Sequence, residues 1–278
     1  MRRKKKNSKK KSSKKREIMT LIFLVVLLLV LDASFFGYPF LNEKAESFFT
    51  RHETESAFIY RVIDGDTIAT GNTSVRLLGI NTPERGELYY NEAKKFLELK
   101  TLNKTVTLEF GKERYDIYNR TLAYVLLDKE NVNLELVENG FANYYFPSGK
   151  DIYYNDFKKA WNICLENEKN LCEKSEDACS ECIELKNFDY QNDEAVFYSK
   201  CELRCDLTNW SIKDEGRKSF VFPKFSLEPN SEVTIIVGNG TNTNKTLFWQ
   251  KETYVWTSTG DSLFLRDSKG KLVLWESY

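Results

Sequence analysis

The sequence predicts two β-rich domains behind an N-terminal membrane segment: a small five-stranded barrel with interspersed helices, then an all-β sandwich. Three observations predict this. Short runs rich in Val, Ile, Thr and aromatic residues recur between Ala57 and Leu127, broken by Asp-Gly and Gly-Asn turns and by one helical stretch. Runs of the same kind, again separated by turn signals, return from Glu194 to the C-terminus. A basic head and an apolar run fill the first 41 residues.

The head, residues 1–16, holds eleven Lys or Arg and no acid. Ile18–Leu31 follows as 14 residues without a charge, short for a span. Ala33–Leu41 adds apolar and aromatic residues past Asp32, enough to complete a crossing at 17–41 with an interfacial aromatic belt. The acid in Asp32-Ala33-Ser34 spoils a cleavage site, so the segment reads as an uncleaved signal anchor rather than a cleaved signal peptide. The positive head then stays in the cytoplasm, and residues from about 42 onward lie outside the cell. Cleavage would instead release a secreted protein. Residues 42–56 are charged and without periodicity, as in a stalk.

Within 57–171, Glu87–Thr101 has Ala93, Phe96 and Leu97 at helical spacing. Thr105–Phe110 and Leu122–Leu127 return to strand. Val132–Asn139 reads as a short helix stopped by Gly140, and Asp151–Asn170 as a longer amphipathic one. The aromatic cluster Phe141, Tyr144, Tyr145 and Phe146 either stacks a base or lines the barrel; Tyr145 is the one assigned to substrate.

The formal charge of the whole chain is zero, with 41 basic and 41 acidic residues. Removing the head leaves 30 basic against 41 acidic groups, a net of −11. Such a body does not suit a tight, non-specific DNA binder, whereas an enzyme that must release a polyanionic product tolerates it. The chain has one histidine, His52, upstream of the barrel, which argues against histidine-based acid–base chemistry.

The chemistry-bearing residues form a split pattern. Val62-Ile63-Asp64-Gly65-Asp66-Thr67 is followed by Val75-Arg76-Leu77-Leu78-Gly79-Ile80-Asn81-Thr82-Pro83-Glu84, and then by Asp116-Ile117-Tyr118-Asn119-Arg120-Thr121. Oxygen donors such as Asp66 and Asn81 suit a hard cation, Ca²⁺ or Mg²⁺. Arg76 and Arg120 offer planar, permanently charged forks that match phosphate oxygens. Glu84, close to the donors in sequence, can orient or deprotonate a water. Together these are the parts needed to attack a phosphodiester. Each alone has a plainer reading, since Asp-Gly-Asp is an ordinary tight turn and a single arginine an ordinary surface charge.

On these motifs, residues 57–171 resemble the staphylococcal-nuclease-like (thermonuclease) family. The resemblance implies an α+β OB-type five-stranded β-barrel with three helices. It implies Ca²⁺ as cofactor, held by the side chains of Asp66 and Asn81 and by the Thr82 carbonyl. Glu84 is implied as base or water positioner, Arg76 and Arg120 as the phosphate grip, and Tyr118 as a substrate contact. Two departures stand out. Asn81 replaces an Asp, which removes a negative charge from the metal site, and Ile117 replaces a basic residue near the nucleotide phosphate.

Cys164, Cys172, Cys179, Cys182, Cys201 and Cys205 are the six cysteines. Outside the cell, disulfides are expected, with fifteen possible pairings. Cys179-x-x-Cys182 with Cys201-x-x-x-Cys205 also has the look of a four-thiolate zinc site. Cys164, on the apolar face of the last helix, fits as plain core. Residues 172–193, acidic and poor in pattern, read as a linker pinned by disulfides.

The last stretch carries Asp206-Leu207-Thr208-Asn209-Trp210-Ser211-Ile212, Phe222-Pro223, Val255-Trp256 and Gly260-Asp261-Ser262-Leu263 in order. On these, residues 194–278 resemble a lamin-tail domain, which implies an immunoglobulin-like sandwich that binds an unknown ligand and contributes no catalytic group. The expectation is a membrane-anchored, outward-facing, metal-dependent nuclease acting on DNA and RNA with little sequence preference. The alternatives are a catalytically silent surface or nucleic-acid-binding protein built from the same two folds, and an intracellular protein that uses the Lys tract as a nuclear address.

Overall fold

The computed structural model describes residues 53–71 and 73–278. The basic head, the apolar segment 17–41 and most of the stalk lie outside the described residues. Among the described residues, no helix is long and apolar enough to cross a membrane. Residues from Glu53 to the C-terminus form one compact unit.

Its first part runs β1 (Thr54–Phe58), β2 (Arg61–Asp64), β3 (Thr67–Thr70), β4 (Thr73–Leu77), β5 (Ile80–Asn81), α1 (Tyr90–Thr101), β6 (Thr105–Tyr115), β7 (Thr121–Leu127), β8 (Glu130–Asn131), α2 (Val132–Glu138), β9 (Asn143–Tyr144) and α3 (Tyr154–Asn167). The main sheet has the order β1-β6-β7-β4-β3-β2, with β8 added on β7. The sheet thus has more strands than the five expected. Two of them, β1 and β2, are consecutive pieces of one run that changes partners at Ile59-Tyr60. There the Ile59 N–H donates to the Lys104 carbonyl at 2.9 Å, and the Tyr60 N–H to that of Ala69 at 3.1 Å. The run therefore bonds to both ends of the sheet, although no ladder pairs β1 with β2.

Local chemistry sets the helix ends. The Asn131 side chain caps α2, accepting from the backbone N–H groups of Asn133 and Leu134 at 3.0 and 3.2 Å. Gly140, at φ +67°, ends it. An added Cβ at Gly140 would lie 2.1 Å from the Lys169 carbonyl, so only glycine lets the end of α3 pack there. α3 buries Phe157, Ala160, Trp161 and Cys164. Cys164 is not plain core: it is bonded to Cys172, just past the helix.

The second part is a sandwich of two four-stranded sheets, as the short strand-like runs and the turn signals between them predict. One sheet joins β10 (Ile183–Asp189), β11 (Glu194–Ser199), β16 (Glu232–Val237) and β17 (Thr246–Trp249). The other has the order β14 (Ser219–Val221), β13 (Ser211–Lys213), β18 (Ser262–Arg266) and β19 (Leu272–Ser277). Two-residue strands β12 (Cys205–Asp206) and β15 (Ser226–Leu227) pair beside them. Trp210, Ile212, Phe222, Ile235 and Leu263 lie in the core between the sheets. β10 falls inside the stretch expected to be a linker. Its side chains scarcely alternate in burial, which left no period-2 signal to read.

Two disulfides hold the entry to the sandwich, Cys179–Cys205 and Cys182–Cys201, and no cysteine is free. The four residues that resemble a zinc site are thus paired as disulfides. Replacing Cys179 and Cys205 by Ala is expected to cost about 3 kcal/mol, because a crosslink of this loop length restricts the unfolded chain. Denaturant unfolding would show the loss, and an unchanged midpoint would contradict it.

The two parts share a seam. The Trp161 ring of α3 lies 5.6 Å from that of Phe264 and 6.1 Å from that of Trp275. Phe264 and Leu272 of the sandwich belong to the same apolar cluster as the core of the first part. Arg266 donates to the Leu171 carbonyl at 2.8 Å across the seam.

Candidate active site

Asp66 stands at the β2–β3 turn, held there by a close-packed glycine. A Cβ on Gly65 would meet the Thr82 Oγ1 at 2.8 Å and the Ala93 Cβ at 2.9 Å. That packing brings the turn against Thr82, whose backbone N–H and hydroxyl donate to Asp66 Oδ2 at 3.3 and 3.1 Å. Asp66 Oδ1 accepts from the Thr67 hydroxyl at 3.0 Å. Burial, and then the neighbouring Asp66 carboxylate, push the Asp64 carboxyl above its usual range.

Arg76, on β4, is buried behind this turn. Its Nη2 lies 3.0 Å from Asp66 Oδ2, 2.9 Å from the Ile80 carbonyl and 3.4 Å from Asn81 Oδ1, and its Nη1 donates to the Leu77 carbonyl at 2.9 Å. The Asp66 carboxylate, the Ile80 carbonyl and the Asn81 amide oxygen thus converge on one positive group. Of these, the carboxylate of Asp66 and the amide oxygen of Asn81 are donors of the kind a hard cation takes, so the chemistry of these two residues fits one. The same contacts occupy Arg76 with protein acceptors, so its guanidinium braces the donor loop as well as lining the cleft.

The parallel pairing of β4 with β7 sets Val75 beside Thr121, which brings Arg120, just before β7, to the same end of the sheet as Arg76. Arg120 Nε donates to Asp116 Oδ2 at 2.7 Å. Asp116 Oδ1 in turn accepts the backbone N–H groups of Tyr118 and Arg120, both at 2.9 Å. Partial burial raises the Asp116 carboxyl, but these bonds and the Arg120 charge outweigh it and hold the group below its usual range. The Tyr118 ring is 73 % exposed and carries the Arg120 guanidinium 5.5 Å from its centre.

Arg76, Asn81, Tyr118, Arg120 and Tyr145 line one cleft of about 490 Å³. Of the aromatic cluster, Phe141 packs on Phe96, and Tyr144 is buried in the seam facing Trp161 and Trp275. Phe146 packs on Tyr154 and Phe157 while reaching the cleft wall.

The opposite wall comes from the sandwich. The β13–β14 turn, Asp214–Lys218, lines the cleft together with Tyr254 and Asp261. It touches two residues of the expected site directly. Asn81, 2 % exposed, donates from Nδ2 to the Gly216 carbonyl at 2.7 Å. Glu84 meets Arg217 Nε at 2.7 Å. Asn143 Nδ2 donates to the Glu215 carbonyl at 2.9 Å, and Lys213 pairs with Glu87 at 2.8 Å. Sequence reasoning missed this turn. Its only local signal is a charged Asp-Glu-Gly-Arg-Lys run between two short strands, and nothing in that run says which surface it reaches.

Comparison with known proteins decides the family. Residues 74–174 match the staphylococcal nuclease homologue model, and residues 172–278 match the lamin tail domain model. The chain is 35 % identical over 130 residues to a thermonuclease of Staphylococcus intermedius, across 43 % of this chain and 77 % of the relative. The chain belongs to the staphylococcal nuclease family. An uncharacterized endonuclease of Haemophilus influenzae is likewise 35 % identical over 148 residues, covering 50 % of this chain and 81 % of the relative. A thermonuclease of Staphylococcus hyicus is 35 % identical over 125 residues, covering 41 % and 73 %.

The far wall of the cleft is acidic, with Asp214, Glu215 and Asp261 along it. Burial pushes the Asp214 carboxyl up to about 7, with the Asp261 charge adding to it, and burial pushes Glu215 up to about 8. A carboxyl raised in the fold stabilises it fully below its unfolded value, about 4, and loses that contribution as pH rises through the folded value. Stability should therefore fall between roughly pH 4 and 8. Glu215→Gln should flatten that fall in thermal unfolding at a series of pH values. An unaltered slope would show that Glu215 is already ionised in the fold.

Proposed function

We propose that this protein is a calcium-dependent nuclease, anchored in the membrane and facing outward, that hydrolyses phosphodiester bonds of DNA and RNA with little sequence preference. The observation that carries the reading is the single cleft into which Arg76, Arg120, Asn81, Tyr118 and Tyr145 converge, with Glu84 tied to its far wall by Arg217. The names of the relatives, thermonuclease and endonuclease, point the same way.

Asp66, Asn81 and the Thr82 carbonyl would hold the calcium, which when bound supplies Lewis-acid polarisation of a phosphoryl oxygen. Arg120 grips a non-bridging phosphate oxygen with the Nη groups that Asp116 leaves free, and it neutralises the charge that grows as water attacks. Arg76 keeps the donor loop in place and adds positive potential at the cleft floor. Glu84 aims the attacking water and accepts its proton, while the bond from phosphorus to the 5′ oxygen breaks and that oxygen leaves with a proton from solvent, so the phosphate stays on the 3′ side. Tyr118 and Tyr145 offer ring faces to the flanking bases. The basic head, the apolar run behind it and a fully oxidised set of cysteines support the outward placement.

The experiment is to incubate the oxidised protein with DNA and with RNA in calcium and to analyse the product ends. Both substrates should yield 3′-phosphate termini, and activity should vanish in chelator. Cleavage that persists in chelator would overturn the metal-dependent part. Protease treatment of intact cells should remove the domains from 53 onward, and full protection would overturn the placement.

The catalytically silent reading draws on one specific observation. Asn81 supplies no negative charge, and Asp66 is already neutralised by Arg76. It predicts nucleic-acid binding that survives chelation, with no shortening of the strand.

A further inference from the structure

We propose that the sandwich turn Asp214–Lys218 is a built part of the nuclease site: the Gly216 carbonyl positions the Asn81 amide, and Arg217 positions Glu84. The inference rests on the nuclease reading above and deepens it, because it gives the lamin-tail domain a role in the reaction rather than in ligand binding.

Asn81 carries the first half. An amide has two ends, and only its oxygen can serve a cation. Here Nδ2 is fixed on the Gly216 carbonyl at 2.7 Å, and Oδ1 is left on the side of Arg76 and Asp66. The turn therefore selects the orientation in which the donor oxygen faces the donor set. The same contact gives a reason for the family departure at this position. An ionised Asp at 81 would set a second acceptor against the Gly216 carbonyl with no proton between them. The asparagine is the residue that the docked sandwich requires.

Glu84 carries the second half. Its side chain is about half exposed, and among the described residues its ion-pair partner is Arg217. An exposed ion pair contributes little to folding, so loss of turnover on removing Arg217 would report the placement of Glu84 rather than the stability of the fold. Without Arg217 the carboxylate is free to swing, and a base out of line by an ångström loses much of its effect.

The turn is itself held rigidly. The Lys218 N–H donates to Asp214 Oδ1 at 2.9 Å, the Glu215 N–H to Asp261 Oδ1 at 3.2 Å, and the Ser262 hydroxyl to Glu215 Oε1 at 2.8 Å. Together with the anchors from Asn143 and Lys213, these bonds let the turn transmit position to the barrel. Positioning groups must come from such a rigid support.

The test uses the full chain and two readouts. In steady-state cleavage of a single-stranded oligonucleotide in calcium, Arg217→Ala should lower kcat by about tenfold or more with KM nearly unchanged, and Arg217→Lys should recover part of the loss. In metal-free protein above neutral pH, Asn81→Asp should speed hydrogen exchange at the amides of Asp214, Glu215 and Lys218, which the docked turn protects. A raised KM with unchanged kcat would make Arg217 a phosphate contact and overturn the positioning role. A faster Arg217→Ala enzyme would make it a restraining latch and overturn it equally. Unchanged exchange in Asn81→Asp would overturn the role of Gly216. A wild-type chain that cuts nothing would bring down the nuclease reading itself, whereas an active wild type with a full-rate Arg217→Ala would bring down this inference alone.

Discussion

Arg120→Ala is expected to lower kcat/KM by roughly 10²–10³-fold, or about 3–4 kcal/mol of transition-state stabilisation, while leaving the fold intact. The charge that appears on the phosphoryl oxygens during attack needs a donor already in place, and Asp116 sees to that for Arg120. One Asp116 oxygen holds Nε at 2.7 Å, and the other ties down the backbone of the same turn. The ion pair is partly buried, and Asp116 keeps its two backbone bonds when the arginine is removed, so the local cost to stability should be modest, on the order of 1–2 kcal/mol. Arg120→Ala should therefore unfold cooperatively, a few degrees at most below the wild type. Arg120→Lys keeps the charge but has no fork to serve Asp116 and phosphate together, so it should recover little of the rate. A full-rate Arg120→Ala enzyme would remove Arg120 from the mechanism.

Glu84→Gln is the second large effect, a loss in kcat of roughly 10²–10⁴-fold with KM changed little. The amide keeps an oxygen for Arg217 to grip, so the side chain stays in place and only its basicity is lost. Glu84→Asp keeps the charge but draws it back by one methylene, away from Arg217, and should fall between the two. If Glu84→Gln turns over at the wild-type rate, proton acceptance belongs to another group.

The legible parts of this protein are those where the determinant is local in sequence. The Asp-Gly-Asp turn, the Arg76–Glu84 run and the Asp116–Arg120 turn each carry their own chemistry, and the structure sets Arg76, Asn81, Tyr118 and Arg120 around one cleft. Gly140 marks the end of α2 to within a residue of where the sequence expects it. What escaped was non-local. β10 shows no alternation because a sheet partner, not its own pattern, makes it a strand. Cys164 looks like core from the periodicity of α3, and only the path of the chain after the helix reveals Cys172 beside it. Tyr144 and Tyr145 are adjacent aromatics with opposite fates, one buried in the seam and one on the cleft, because the seam forms only when Trp161 meets Trp275. The turn Asp214–Lys218 is the extreme case. It lies about 130 residues from Asn81 in sequence and reaches it through the docking of two whole domains.

The cleft is expected to cut nucleic acid with a bound hard cation. The most direct measurement is the length of an end-labelled single-stranded DNA after incubation with the oxidised, folded protein in calcium, in magnesium and in chelator, beside Glu84→Gln. Shortening that requires calcium and disappears in Glu84→Gln is the predicted result. Intact DNA across millimolar calcium, with binding that survives chelation, would contradict it and leave a binding protein in the shape of a nuclease.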